Sequence, residues 1–278
     1  MKHLSKQNNE PSISIGSLFK SISSNHQLIA HMIKHEVVGR YKGSIMGITW
    51  SFLNPLFMLL VYTFVFSVIF KSRWGTSDSK LLFAFILFVG MIVIGFFNEV
   101  VSRSPLIILS NVNYVKKVMF PIEILSIIAV GTALIQSVIS FIVLLMVCIL
   151  TNGYIEWTVI FMPLIFLPLV IFTLGISWML CALGVFFRDT SQTTNILTSL
   201  IMFLSPVFYP LSAVPERFRP FIMANPLTFI IEELRGVLIG GHYPNWNLFC
   251  VYTFLALVFA WLGYALFQKA RKGFADVL

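Results

Sequence analysis

The sequence predicts an all-α integral membrane protein: six transmembrane helices, an amphipathic helix ahead of them at the membrane interface, and a short helical hairpin between the fifth and sixth spans. Three observations predict it. Long apolar runs recur along the chain, an amphipathic segment precedes the first, and a proline-punctuated stretch precedes the last. A helix needs about 20 mostly apolar residues to cross a hydrocarbon layer of about 30 Å, and it satisfies its own backbone while doing so. Of 278 residues, 58% are hydrophobic and 11% charged, which leaves too little polar surface for a water-soluble fold of this size. The expected spans are 48–70, 81–101, 122–150, 158–187, 193–209 and 247–267, within one transmembrane domain covering 1–278. The longest polar piece, the first 48 residues, is too short for a separate enzymatic domain of about 100 residues.

The first element is the segment 17–38. Leu18, Ile22, Ile29 and Ile33 share one helical face, and Lys20, Ser24, Gln27 and Lys34 occupy the other. Such a helix lies along the membrane surface or packs on the protein's own spans, and the pattern serves both. No cleavable leader is expected before it, because Met1 to Pro11 is polar, so the first span acts as its own insertion signal.

That first span carries a stripe at four-residue spacing: Trp50, Asn54, Met58, Tyr62, Phe66 and Phe70. Helix packing and a translocation lane both explain it, since aromatic faces stack on the apolar faces of sugar rings. The second to fourth spans are unbroken apolar runs. The fifth is the shortest, because the run from Ile196 to Phe208 ends in Pro206 and Pro210; it crosses only if tilted, extended through 193–195, or continued by a re-entrant segment. Further on, Asn225 reads as a helix cap, Pro226 as the first helical residue, and Gly240–Gly241 as the stop.

Charge sets the expected orientation. The formal net charge is +8, but Lys and Arg are scattered among loops, which argues against nucleic acid and for anionic lipid. With both termini cytoplasmic, 13 basic residues fall on the cytoplasmic side and six on the other: Lys71, Arg73, Lys80, Arg217, Arg219 and Arg235.

Several chemistries are excluded by absent motifs. No GxxxxGK[ST] loop occurs, so this chain does not hydrolyse ATP through that machinery and the energy for any pumping comes from elsewhere. His31 and His35 stand four apart without an HExxH pattern and read as a solvated face, and no nucleophile elbow occurs. Cys148, Cys181 and Cys250 sit in apolar runs without metal or redox spacing. Glu99 and Glu123 flank the loop bearing Arg103, Lys116 and Lys117, an arrangement expected to pair internally. The one candidate cluster for a membrane-embedded enzyme is His242 with Glu232 and Glu233.

The wording RYKGSIMGITWSFLNPLFMLLVYTFVF from Arg40, NYVKKVMFPIEIL from Asn113, LGVFFRDTSQ from Leu183, and SPVFYPLSAVPE from Ser205 followed by NPL at Asn225 resembles, in order, the permease subunit of ABC-2 type polysaccharide exporters, the O-antigen branch above all. The resemblance implies a homodimer in the bacterial inner membrane that moves undecaprenyl-linked polysaccharide. It also implies two copies of a separate ATPase that binds ATP and magnesium, with no cofactor in this chain. In that family 102–120 forms a coupling segment, here with Pro105, Leu106, Ile107, Asn113, Lys116 and Lys117. The segment 211–240 forms periplasmic gate helices, here with Glu232, Glu233 and Arg235. On this reading the pathway is lined by Trp50, Asn54, Tyr62, Phe66 and Phe70 with Phe208 and Tyr209.

Overall fold

The computed structural model describes residues 14–65, 80–115 and 120–277. Among these every regular element is helical. The order is α1 (Ile15–Ser24), α2 (His26–Gly39), α3 (Trp50–Tyr62), α4 (Lys80–Ile107), α5 (Val112–Val115), α6 (Ile124–Asn152), α7 (Met162–Phe186), α8 (Thr190–Leu204), α9 (Arg219–Met223), α10 (Pro226–Leu238), α11 (Trp246–Ala270) and α12 (Phe274–Val277). Five helical stretches among the described residues are long and apolar enough to cross a membrane: Gly47–Val65, Leu81–Ile107, Ile124–Asn152, Trp157–Phe186 and Trp246–Gly273. The fifth expected span corresponds to α8, which has 15 residues and a length of about 22 Å.

Contact order along the helices fixes their directions. Phe172 meets Phe259 and Trp178 meets Tyr264, with ring centroids 5.0 and 5.2 Å apart, so α7 and α11 run parallel. They touch backbone to backbone where Gly175 faces Ala260: a Cβ on Gly175 would stand 2.7 Å from the Ala260 Cα. Small residues at such a crossing supply the close packing that hydrophobic burial cannot supply between helices in lipid. Helix α4 also runs parallel to α7, with Phe96 on Phe166 and Ser104 on Ser177. Helix α6 runs antiparallel to α7, because the Trp178 indole donates to the Glu123 carbonyl near one end and Phe141 meets Phe166 towards the other.

Helix α4 is the central post. In its most apolar 18-residue window 72% of residues are buried, against 17% in the windows of the first and last spans. Phe85, Val89, Val93, Phe96, Phe97 and Val100 make the middle of the larger core, closed by Leu169, Val207, Ile231 and Leu234. A second core, with Ile108, Ile124, Trp178, Phe267, Phe274 and Ile29, sits at one end of the bundle. Outward from both, α11 exposes Val251, Phe254, Leu255 and Leu257, and α8 exposes Leu200, Phe203 and Leu204. An apolar band of this extent is a liability in water and the ordinary surface of a protein dissolved in lipid.

The amphipathic segment is two helices bent at Asn25. Its apolar face packs on the spans: Ile29 is buried, and Ile33 lies over Gly131 of α6 with its Cγ1 3.2 Å from where a Cβ would be. Helix α1 and the residues just after α11 lie at the same face of the bundle. One carboxylate, Glu123, accepts from the Ser21 hydroxyl of α1 at 2.8 Å and from Arg271 after α11 at 3.1 Å.

Candidate functional site

Three places gather the residues singled out by the sequence. The first is a crevice of about 220 Å³ between α3, α4 and α6. Helix α3 lines it with Asn54, Pro55, Met58 and Tyr62, α4 with Phe88, Met91, Gly95 and Glu99, and α6 with Gln136, Ser137 and Ser140. Asn54 and Tyr62 of the expected lane therefore share one crevice. Trp50 is half-buried at the start of α3 and does not line it. Phe208 packs on the main core and the Tyr209 hydroxyl donates to the Phe203 carbonyl at 3.2 Å, both away from the crevice. Phe66 and Phe70 lie outside the described residues.

The polar wall of α6 is not singled out by the sequence reading. Its signal is there, Gln136 and Ser140 one turn apart inside an apolar run, but that spacing marks one face without saying what faces it. The structure adds Glu99, which lies two turns inside the end of α4 because that helix continues to Ile107, past the expected limit at Val101. Glu99 pairs with Arg40, and with Arg103 at 3.7 Å; Arg103 also pairs with Glu36. Two acids and two bases thus neutralise each other and tie α2 to α4. The Gln136 amide donates to the Ser51 carbonyl at 3.2 Å and fixes α3 on α6.

The second place is the segment expected to couple, 102–120. Pro105, Leu106 and Ile107 form the last turn of α4, followed by a turn at Leu109–Asn111 and by α5. Pro105 is buried against Gly184 of α7, and Ile107 is buried in the second core. Leu106 and Asn113 are exposed. Beside them a cavity of about 370 Å³ opens between α2, α4 and α6, lined by the polar Glu36, Arg103, Ser110 and Asn111 and the apolar Met32, Leu125 and Ile128. Lys116 and Lys117 lie outside the described residues.

The third place is α10. The Asn225 side chain caps it by accepting from the Leu227 N–H at 3.0 Å, and Pro226 occupies its first turn. Its three charged residues do different things. Arg235 is buried and donates to the carbonyls of Ile86, Pro206 and Val207 and to Glu232. Burial pulls its guanidinium down to about 10 while Glu232 opposes the shift, so it stays charged at neutral pH. Glu233 accepts from the Asn245 N–H at 3.0 Å; burial pushes its carboxyl up, the Asn245 bond opposes this and Glu232 adds to it. Glu232 and Glu233 are therefore engaged separately rather than gathered around His242. Among the described residues no group of three or more His, Cys, Asp or Glu side chains stands close enough to hold a metal ion.

A helical bundle wrapped in an apolar band, with polar side chains turned inward, is the fold of a multi-pass membrane protein. The sequence comparison gives the family: residues 27–239 match the ABC-2 type transporter family, and the chain belongs to it. It is 27% identical over 261 residues to the O-antigen export system permease protein RfbA of Myxococcus xanthus, across 93% of this chain and 98% of that protein. It is 27% identical over 242 residues to RfbA of Klebsiella pneumoniae, across 86% and 90%. The polysialic acid transport protein KpsM of Escherichia coli is 24% identical over 244 residues, across 85% and 91%.

Proposed function

We propose that this chain is the permease subunit of an ATP-driven exporter that moves undecaprenyl-linked polysaccharide of the O-antigen type across the bacterial inner membrane. The observation that carries the reading is the similarity to O-antigen export permeases over nearly their whole length. The chain acts as a homodimer with two copies of a separate ATPase, which holds ATP and magnesium. The coupling segment meets that ATPase through the exposed Leu106 and Asn113. The crevice of Asn54 and Tyr62 contributes rings and hydrogen-bonding groups to the glycan lane, and α10 forms part of the outer gate.

Six crossings and cytoplasmic termini belong to the same proposal. Helices α7 and α11 run parallel, so the chain between them must return across the bundle, and α8 with segment 205–209 is the piece available to do so. The excess of Lys and Arg at the face of α1 and the residues after α11 supports placing that face in the cytoplasm.

Copurification with the partner ATPase, reconstitution into proteoliposomes and addition of lipid-linked glycans tests the function. O-antigen linked to undecaprenyl carrier is expected to stimulate ATP hydrolysis and to enter the vesicles, and Tyr62→Ala with Phe66→Ala to slow entry without loss of assembly. Stimulation by capsular polysaccharide alone would favour the second reading, a capsule exporter, which the similarity to KpsM supports. Stimulation by neither overturns both.

A further inference from the structure

Helix α8 ends at Leu204, and the chain turns extended at Ser205 before Pro206. Past a helix end the carbonyls have no helical donors, and Pro210, which has no N–H, provides none. The Pro206 and Val207 carbonyls nevertheless sit in a buried place: Val207 is fully buried, and unpaired backbone groups there are costly. Arg235 fills the vacancy. Its side chain is 7% exposed, its Nη1 donates to the Pro206 carbonyl at 2.6 Å, its Nη2 to Val207 at 3.0 Å and its Nε to the Ile86 carbonyl of α4 at 3.0 Å. Glu232, one turn back on α10, balances the charge at 2.8 Å. Room for the fork comes from α4, where a Cβ on Gly90 would stand 3.1 Å from Arg235 Nη2 and 3.1 Å from Val207 Cγ1. A separate bond, the Asn225 amide to the Ser205 hydroxyl at 2.8 Å, ties the start of α10 to the same segment.

From this geometry we infer that Arg235 is a fixed positioning residue and not a moving gate charge: it pins segment 205–209 and α10 to α4, so that the three travel as one unit when the transporter opens. The inference rests on the export reading and corrects the role that reading gives Arg235. A charge that let go in every cycle would leave a buried guanidinium and two buried carbonyls unpaired each time, whereas a planar fork with five donors suits a permanent joint between three segments.

The test replaces the pin by a covalent bond. In a chain whose Cys148, Cys181 and Cys250 are changed to alanine, Gly90→Cys and Val207→Cys place their side chains within disulfide reach, since a Cβ at position 90 lies 3.4 Å from the Val207 Cα. Arg235→Gln is expected to lower glycan export at least about tenfold, Arg235→Lys not to restore it, and the oxidised cysteine pair to bring Arg235→Gln back to within about threefold of the parent, with reduction abolishing the rescue. Because a Cβ at position 90 crowds the fork, the disulfide is judged within the double-cysteine chain, oxidised against reduced: with Arg235 intact, oxidation is expected to change export by no more than about twofold. Failure of the pair to oxidise, a block of export by the disulfide alone, or absence of rescue would overturn the inference. If no variant moves glycan, the unsubstituted transporter included, the export reading has failed. The pin is then judged by melting temperature, which Arg235→Gln should lower and the oxidised pair restore; no restoration would overturn it.

Discussion

The substitution Gly184→Ala probes the joint between α4 and α7 at the last turn of α4. The added Cβ would stand 2.7 Å from both the Cα and the carbonyl carbon of Pro105, where carbon atoms ordinarily meet at about 3.5–4.0 Å. The atoms in the way are backbone, so no rotamer change relieves the clash and the helices must part by about 1 Å. Two hydrogen bonds cross the same joint, Ser104 hydroxyl to Ser177 hydroxyl at 2.8 Å and Cys181 thiol to the Ser104 carbonyl at 3.1 Å. Overpacking costs about 1–3 kcal/mol, and stretching these bonds adds about 1 kcal/mol. The matched control is Gly236→Ala in α10, where a Cβ meets nothing within 4 Å and helix propensity alone stabilises by about 0.5–1 kcal/mol. At about 2–4 °C per kcal/mol, the melting temperature of the purified protein should fall by several degrees for Gly184→Ala and rise by about 1–4 °C for Gly236→Ala. Shifts of the same sign would refute the claim that close backbone approach, and not glycine content, decides the outcome.

Three further outcomes are expected. Single cysteines at Thr151 and Ala213 in a cysteine-free chain should react with an impermeant thiol reagent from outside the cell and those at Asn111 and Gly273 should not; the opposite pattern would invert the topology. Glu123→Ala removes the acceptor shared by Ser21 and Arg271, and since bonds to charged groups contribute about 1.5–3 kcal/mol, amide exchange in α1 and in the residues after α11 should speed at least about tenfold. Unchanged exchange would show that neither end depends on that carboxylate. Glu233 has its carboxyl raised above 4.5 by burial, so its contribution to stability is complete below the unfolded value near 4.5 and is lost as pH rises through the higher folded value. Glu233→Gln should therefore gain stability relative to the parent as pH rises above 4.5 in melting curves, and parallel curves would argue against a raised carboxyl.

The long apolar runs and the basic-residue bias were legible in the sequence because they follow from transfer of side chains into lipid, which depends on composition and length more than on neighbours. The helix cap at Asn225 and the proline start at Pro226 were equally legible, since capping is settled within four residues. What faced what was not. The stripe of Asn54 and Tyr62 did not say what it faces; the fold sets Gln136 and Ser140 of α6 beside it, residues more than 70 positions away. Arg235 stood in the sequence as one charge among three on a short helix. Its work became visible only when Ile86, Pro206 and Val207 converged on it, because a carbonyl left without a donor by a helix end can be filled from anywhere in the chain. Glu99 and Glu123 were expected to pair with the bases of the loop between them; Arg103 does pair with Glu99, but the other partners, Arg40 and Arg271, come from the regions flanking the spans. The sequence by itself determined that this chain is a bundle of membrane helices. The tertiary structure decided which polar groups meet inside it, since in a low-dielectric bundle each must find a partner and the fold alone says which is near.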